Sequence, residues 1–216
     1  MNTNEALEST LLGAVLSYVL LRRGYEPLHA TVLSLNGRAV GLLGDSGYGK
    51  SSLGACLIAE HGYRLVTDDL LVIRDPTEPI AELGLQRLKL EPAMASQFFH
   101  TAGPTIAPEA TKMLIPMCDD QSADGGIPLA GLFALPAPSQ DSSDVQVVRR
   151  SESDAFQSLI ENSFNSVIIE RIRLADQFVF AEALARRVPM FGLAYPRGLE
   201  HLRHIAGAVI DQAARL

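Results

Sequence analysis

The stretch GLLGDSGYGKSS, residues 41–52, decides the fold of this chain. An apolar run stops at Gly44, and residues 44–51 fit the pattern G-x-x-x-x-G-K-[ST] at every position. Strand-forming residues precede this loop, and residues 50–61 show helical spacing of apolar side chains with Gly62 at the C′ position. A glycine-rich loop between a strand and a helix is the context of a P-loop, whose backbone amides surround phosphate oxygens.

The residue types of the loop fit phosphate binding one by one. Glycines at 44, 47 and 49 allow a tight turn and a close approach of the backbone to phosphate oxygens. The helix N-terminus adds a field that favours anions. We expect Lys50 to reach the β- and γ-phosphates from an exposed position without core packing, and Ser51 to ligate Mg²⁺. The predicted phosphate-binding set is Gly44, Asp45, Ser46, Gly47, Tyr48, Gly49, Lys50, Ser51 and Ser52.

Two adjacent aspartates follow the apolar run YRLV, residues 63–66. If this strand neighbours the P-loop strand, Asp68 and Asp69 lie at the same sheet edge as the phosphates. Adjacent residues on a strand point to opposite faces, so one aspartate can lie beside Mg²⁺ while the other accepts the proton of an attacking hydroxyl. An isolated aspartate pair is typical of a solvated turn, but the P-loop upstream favours a functional pair here.

Composition limits the class of protein. A length of 216 residues predicts a single domain, 1–216, with a substantial core. The net charge of −7 and the absence of a basic block argue against nucleic acid as a partner. Cys56 and Cys118 lie far apart without metal spacing, which predicts a reducing cytoplasm and neither a disulfide nor a zinc site. The apolar run 11–21 is shorter than the ~20 residues that span a bilayer, so we expect a helix packed on the domain and no membrane attachment.

The remaining chain mixes strand and helix patterns. Asn36-Gly37 between two strand-like runs predicts a tight hairpin that leads into the P-loop. Further strands are predicted at 85–90, 127–136 and 188–195, and helices from Glu152, over 167–187 and from Gly198. Because a hairpin replaces strict alternation of strands and helices, the pattern predicts an α/β fold with a mixed sheet flanked by helices.

Residues 28–74 carry a family resemblance. The sequence LHATVLSLNGRAVGLLGDSGYGKSSLGACLIAEHGYRLVTDDLLVIR resembles the catalytic core of HPr kinase/phosphorylase and its bacterial relatives. Those proteins have a histidine before a hairpin, a GDSGxGKS loop and a strand that ends in two aspartates. The resemblance implies a phosphoenolpyruvate-carboxykinase-like P-loop fold. The bifunctional relatives assemble as rings of identical subunits, which makes a homo-oligomer one candidate for the assembly state and leaves that state open.

The resemblance also implies roles for individual residues. It implies that Lys50 and Ser51 hold Mg²⁺ and the phosphates of ATP. It also implies that the aspartates supply the base and a metal contact. The family match favours Asp68 as the base and Asp69 as the metal ligand. It places His29 beside both aspartates as a further catalytic residue.

One departure from the family narrows the implied function. No segment like EIRGLG follows the aspartates, and ELGLQRLKL, residues 82–90, takes its place. This difference argues against phosphorolysis and against HPr as the substrate. The chain is similar to the short HPr-kinase-like proteins, some of which phosphorylate a serine of a ribosomally made peptide such as a lasso-peptide precursor.

Three hypotheses about function follow. The first is a Mg²⁺-dependent kinase that transfers the γ-phosphoryl group of ATP to a serine hydroxyl of a protein or peptide. The second is a nucleotide-binding regulatory or sensor module without transfer activity. The third is a small-molecule kinase, for which a pocket closed over a metabolite is expected. Arg197, between Pro196 and Gly198 at a predicted helix start, is a candidate for binding an anionic group of the acceptor.

Overall fold

The computed structural model describes residues 11–99, 112–137, 144–196 and 198–216. A π-helical turn, Leu11–Val15, leads into the first α-helix. The helices are α1 Leu16–Arg22, α2 Lys50–His61, α3 Pro92–Phe98, α4 Glu152–Glu161, α5 Arg171–Arg187 and α6 Leu202–Ala213. The strands are β1 Ala30–Leu35, β2 Arg38–Leu43, β3 Arg64–Thr67, β4 Ile80–Ala81, β5 Arg87–Leu90, β6 Met113–Pro116, β7 Ile127–Ala134, β8 Gln146–Arg149 and β9 Met190–Ala194.

The strands form one large mixed sheet and a small hairpin. Among the described residues the large sheet has the order β3-β1-β2-β7-β9-β8, and β4 pairs with β7. Strands β2, β7 and β9 are parallel, whereas β1 and β8 run antiparallel to their neighbours. Strands β5 and β6 form the separate antiparallel pair. The predicted mixed α/β sheet is confirmed.

The predicted hairpin is present between β1 and β2. Leu35 pairs with Arg38, and the two residues between them have positive φ angles, 53° at Asn36 and 74° at Gly37. These angles fit a type I′ turn, whose twist matches that of the flanking strands. The hairpin reverses the chain once before the P-loop, so β1 begins where β2 ends.

Both faces of the sheet are buried, which explains the continuous apolar sequence of β2. Successive residues alternate between two cores: Leu42 packs in the core under α2, α3 and α6, and Leu43 packs in the core under α4 and α5. The same alternation separates Leu33 from Val32 on β1. The molecule therefore has three layers, with helices on both faces of the sheet.

Strand directions bring several chain segments to one edge of the sheet. Because β1 is antiparallel to both β2 and β3, the carboxyl ends of β2 and β3 lie on the side where β1 begins. Strands β7 and β9, parallel to β2, also end there. We call this side the P-loop edge, and it collects the loop after β2, the aspartates after β3 and the histidine before β1.

Two helices begin later than their sequence patterns predict. The pattern over 167–187 gives a helix from Arg171 onward, and residue 168 lies instead in a turn closed by a hydrogen bond from Ile168 N to Asn165 O. The last helix was expected from Gly198, but a 3₁₀ turn, Leu199–His201, precedes α6. In the described part of the chain, no helix combines the length and apolar character that crossing a membrane requires.

Candidate functional site

The P-loop joins the end of β2 to the start of α2. Gly44, Gly47 and Gly49 have φ angles of 144°, 87° and 89°, a region that side chains with a Cβ atom rarely adopt. At Gly44 space is also restricted, because a Cβ atom there would lie 3.1 Å from the carbonyl oxygen of Leu135. The loop conformation therefore requires glycine at the positions where the sequence has it.

Lys50 lies buried within this loop, and the prediction of an exposed lysine was wrong. Its side chain is 6% exposed, and Nζ donates hydrogen bonds to the carbonyl oxygens of Gly44 at 2.6 Å and Asp45 at 3.1 Å. A buried ammonium group requires acceptors, and the turn of the loop supplies them. Burial lowers the pKa of Lys50, while the charges of Asp68 and Asp69 oppose that shift.

Asp68 is almost fully buried and lies beside Ser51. The Ser51 hydroxyl is 3.4 Å and 3.5 Å from the two carboxylate oxygens of Asp68. Thr31 Oγ1 donates to the same carboxylate at 2.6 Å, and the backbone N–H of Lys89 donates at 3.2 Å. Burial raises the pKa of Asp68, and the neighbouring charge of Asp69 adds to this shift. Hydroxyl and carboxylate oxygens are the ligand types that Mg²⁺ prefers, so Ser51 and Asp68 fit a magnesium site.

The side chain of Asp69 points in a different direction from that of Asp68. Alternation along a strand is not the cause. Strand β3 ends at Thr67, and Asp69 has a φ angle of 69°, in the left-handed region. Its carboxylate forms an ion pair with the Lys89 ammonium group and lies 3.7 Å from His29 Nε2. Burial alone would raise the pKa of Asp69, but the hydrogen bond from His29 and the charge of Lys89 hold that pKa well below its usual range.

Strand β3 is not the direct neighbour of the P-loop strand. It pairs with β1, which lies between β3 and β2. The aspartates still meet the P-loop, because β2 and β3 run in the same direction. The shared edge that the sequence predicts is therefore present, one strand further away.

His29 is held from two sides at the start of β1. Its backbone N–H donates to the carbonyl oxygen of Asn162 at 2.8 Å. The imidazole packs edge-to-face on the Phe164 ring, with 5.8 Å between the ring centroids. The imidazole lies beside Asp69, which is one of the two aspartates near which the resemblance places it.

Asn162, at the end of α4, also fixes the first residue of the P-loop. Its side-chain oxygen accepts a hydrogen bond of 2.7 Å from Gly44 N, and its side-chain nitrogen donates to Ser158 O at 2.8 Å. Sequence reasoning missed this residue. A single asparagine 118 positions from its partner gives no local pattern that identifies it.

A cavity of about 90 Å³ at the P-loop edge collects the candidate residues. Its lining residues are His29, Ser46, Gly47, Gly49, Lys50, Ser51, Ser52, Asp69, Lys89, Glu91 and Lys112. We call it the phosphate pocket. Of the predicted phosphate-binding residues, Gly44, Asp45 and Tyr48 do not line it. Asp68 is also absent from its lining and lies beside Ser51. Arg197 lies outside the described residues.

The phosphate pocket contains every lysine of the chain. The sequence has three lysines, Lys50, Lys89 and Lys112, and all of them line the pocket. Lys89 and Lys112 were missed as site residues, although the rarity of lysine in a chain rich in arginine is a signal that singles them out. Two carboxylates, Asp69 and Glu91, line the same cavity, so the three ammonium groups leave an excess of positive charge that suits a polyphosphate.

Comparison with known proteins gives a structural likeness only. No protein-family model matches the chain, and no curated protein matches it. Among solved structures, the chain is similar to the Hpr(Ser) kinase/phosphatase from Coxiella burnetii, with 12% sequence identity and a TM-score of 0.45. The alignment covers 88% of this chain and 97% of that chain. At this identity and TM-score, the functional assignment of the chain depends on its own contacts.

Proposed function

We propose that this protein is a kinase that transfers the γ-phosphoryl group of ATP to the hydroxyl of a serine in a protein or peptide. One observation carries the proposal: Lys50 and Ser51 of a complete P-loop line the same small cavity as the Asp69–His29 pair. A phosphate donor held on the loop would present its terminal phosphoryl group to a carboxylate. That arrangement is what phosphoryl transfer to a hydroxyl requires.

The contacts favour a division of roles between the aspartates that reverses the one the family match favours. Asp68 is 4% exposed and contacts Ser51 and Thr31, so its role would be to hold Mg²⁺ together with the Ser51 hydroxyl. When bound there, Mg²⁺ would neutralise charge on the phosphate oxygens. Asp69 lines the phosphate pocket, so an acceptor hydroxyl can reach its carboxylate.

The reaction then follows from these roles. The serine oxygen forms a bond to the γ-phosphorus, the bond from that phosphorus to the β-phosphate oxygen breaks, and ADP leaves. The proton of the serine hydroxyl passes to the Asp69 carboxylate, which becomes neutral, and His29 lies beside this carboxylate. The hydrogen bond from His29 and the charge of Lys89 lower the pKa of Asp69, so its carboxylate is ionised and can accept a proton. Such transition states are loose, so the position of the carboxylate matters more than its basicity.

Lys50 and Lys89 would stabilise charge on the transferring group from two sides. Lys50 is held by the carbonyl oxygens of the loop, whereas Lys89 reaches the pocket from β5. Fixed cations in a partly buried site stabilise a developing negative charge more strongly than mobile ions in water.

The proposal is tested with purified protein, Mg²⁺-ATP and a peptide library in which one fixed position is serine, threonine or alanine. We expect ADP release coupled to phosphoserine, detected by mass spectrometry, and neither product with the alanine library. ATP binding without transfer to any hydroxyl would favour the sensor hypothesis instead. Transfer confined to free hydroxyl metabolites would favour a small-molecule kinase.

A further inference from the structure

A cavity of about 610 Å³ is lined by α1, by the chain that follows β3 and by the segment before β5. We call it the leucine cleft, because its aliphatic lining consists of Leu16, Leu20, Leu70, Val72, Leu83 and Leu85. Leu83 is 44% exposed, so this apolar surface is open to water. An open cavity of this size with apolar walls suits a ligand that carries apolar groups.

The leucine cleft adjoins the phosphate pocket at Asp69. Asp69 lines the pocket, and the residues directly before and after it in the chain, Asp68 and Leu70, line the cleft. Consecutive Cα atoms are about 3.8 Å apart, so the two cavities are one residue apart along the chain. An extended peptide advances about 3.3 Å per residue. A side chain in the cleft and a hydroxyl at Asp69 would therefore lie about two to four residues apart in one peptide.

One chain segment contributes to both cavities. Residues 82–90, ELGLQRLKL, stand where the bifunctional relatives have the EIRGLG segment. Leu83 and Leu85 line the leucine cleft, and Lys89 lines the phosphate pocket. The segment in which this chain departs from the family thus supplies an apolar wall beside the site.

The leucine cleft also contains a cation without a partner. Arg74 lines the cleft and pairs with Glu82, with 2.8 Å between Arg74 Nε and the carboxylate. Arg23 lines it as well, and its side chain forms no hydrogen bond or ion pair with any residue in the described part of the chain. The Asp68 carboxylate already accepts hydrogen bonds from other groups. Charge complementarity therefore favours an anionic group of the ligand at Arg23.

We propose that the leucine cleft binds the acceptor peptide, by taking up a large aliphatic side chain of that peptide while Arg23 pairs with a carboxylate next to it. This inference rests on the proposed function and specifies its substrate class, serine peptides with an aliphatic and an acidic residue near the serine. A small hydroxyl metabolite at Asp69 would not extend into the cleft, so the apolar wall favours a peptide.

A peptide library with one fixed serine and randomised neighbouring positions tests the inference. The products of wild-type protein with Mg²⁺-ATP are sequenced by mass spectrometry. We expect the phosphorylated peptides to be enriched in leucine, isoleucine or methionine about two to four positions from the serine. Aspartate or glutamate should be enriched beside that aliphatic residue.

The kcat/KM of the preferred peptide is then measured with two cleft variants and two controls. Leu83→Asp should lower it by about tenfold, because a carboxylate in the apolar wall must lose water against the bound side chain. Arg23→Glu should lower it by about fivefold and shift the preference from acidic to basic peptides. The matched controls, Val148→Asp and Arg22→Glu, replace exposed side chains that line neither cavity. Both controls should match the wild type, and all four variants should keep its apparent KM for ATP.

The outcomes separate this inference from the kinase proposal. Peptide phosphorylation without an aliphatic preference, or an unchanged kcat/KM of Leu83→Asp, overturns the inference and leaves the kinase proposal standing. An unchanged acidic preference of Arg23→Glu overturns the role of Arg23. If the wild type phosphorylates no peptide, both proposals fail.

Discussion

Two clusters of charged side chains lie close together in this molecule, and they differ in access to solvent. The outer cluster, Asp69, His29 and Lys89, borders the phosphate pocket, and its side chains are 27–32% exposed. The inner cluster, Glu26, Ser163 and Arg173, has both charged side chains only 6% exposed. Opposite charges alone therefore do not mark a functional site. The outer cluster is therefore open to exchange of its partners for a ligand, whereas the charged groups of the inner cluster have much less contact with solvent.

The inner cluster supports the site from behind. Arg173 and Ser163 both donate to the Glu26 carboxylate, and Arg173 also donates to Ser163 Oγ at 2.8 Å and to Gln177 Oε1 at 3.1 Å. Glu26 precedes the strand that begins beside His29, and Ser163 follows Asn162. The inner cluster thus ties together the two segments that position the histidine and the P-loop.

The largest effect is expected when one partner of the inner cluster is removed. Glu26→Gln leaves a buried guanidinium group without its carboxylate, and Arg173→Met leaves a buried carboxylate without its cation. Each should lower the free energy of unfolding by about 3–5 kcal/mol, measured by urea denaturation. The double variant should lose less than the sum of the two, because no unpaired charge remains. Single variants within about 0.5 kcal/mol of the wild type would contradict the role of this pair.

Lys50→Ala should change stability only slightly and the rate of phosphoryl transfer strongly, in contrast to the inner-cluster variants. Removal of one fixed cation from a transfer site should slow phosphoryl transfer by about 10²–10³-fold. Lys50 itself lines the phosphate pocket, so water from the pocket can replace its ammonium group at the carbonyl oxygens of Gly44 and Asp45. Transfer rate and thermal melting are measured on the same preparation, with ATP calorimetry to separate binding from chemistry. Full transfer by a variant that melts like the wild type would refute the P-loop assignment.

Asp69→Asn and Asp68→Asn compare the carboxylate that lines the phosphate pocket with the one that is almost fully buried. Asp69→Asn should slow transfer by roughly a hundredfold or more and leave Mg²⁺-ATP affinity nearly unchanged, because it removes the proton acceptor. Asp68→Asn should instead raise the Mg²⁺ concentration needed for half-maximal rate, because it weakens the oxygen set beside Ser51. Identical behaviour of the two variants in both assays would defeat this division of roles, and exchanged behaviour would restore Asp68 as the base.

The smallest effect is expected for an ion pair on the surface, between Glu60 and Arg203. Arg203 donates to both carboxylate oxygens of Glu60, and its own side chain is 69% exposed. The hydrogen bond from Arg203 lowers the pKa of Glu60 in the folded state. The stabilisation of the folded state by the Glu60–Arg203 pair is therefore present above the ordinary glutamate pKa of about 4.3. It is lost as the pH falls through the lower pKa of Glu60 in the folded state.

Glu60→Gln should thus reduce stability slightly at neutral pH, by much less than either inner-cluster variant. The gap from wild type should close as the protein is acidified below about pH 4. Urea denaturation at neutral pH and below about pH 4 measures this difference in stability between the variant and the wild type. A gap that widens on acidification would show that the pKa shift has the opposite sign.

The part of the site that the sequence predicts is the part built from contiguous residues. The hairpin at Asn36 and the loop 44–51 depend on backbone conformations that neighbouring residues impose, so their patterns carry over to the structure. The order of strands also follows in part, since a short turn forces β1 and β2 to pair. Burial of Lys50 does not follow, because a sequence pattern does not say where side-chain charges find their acceptors.

Local sequence patterns thus establish a P-loop at the end of a strand, two aspartates near it and a mixed α/β sheet. Tertiary structure alone decided that Asn162 holds Gly44, that Phe164 aims His29 and that Lys89 reaches Asp69. It also decided which aspartate is buried, because β3 ends before the pair and the left-handed turn at Asp69 separates the two side chains. These contacts join segments distant in the chain, so no local sequence pattern encodes them.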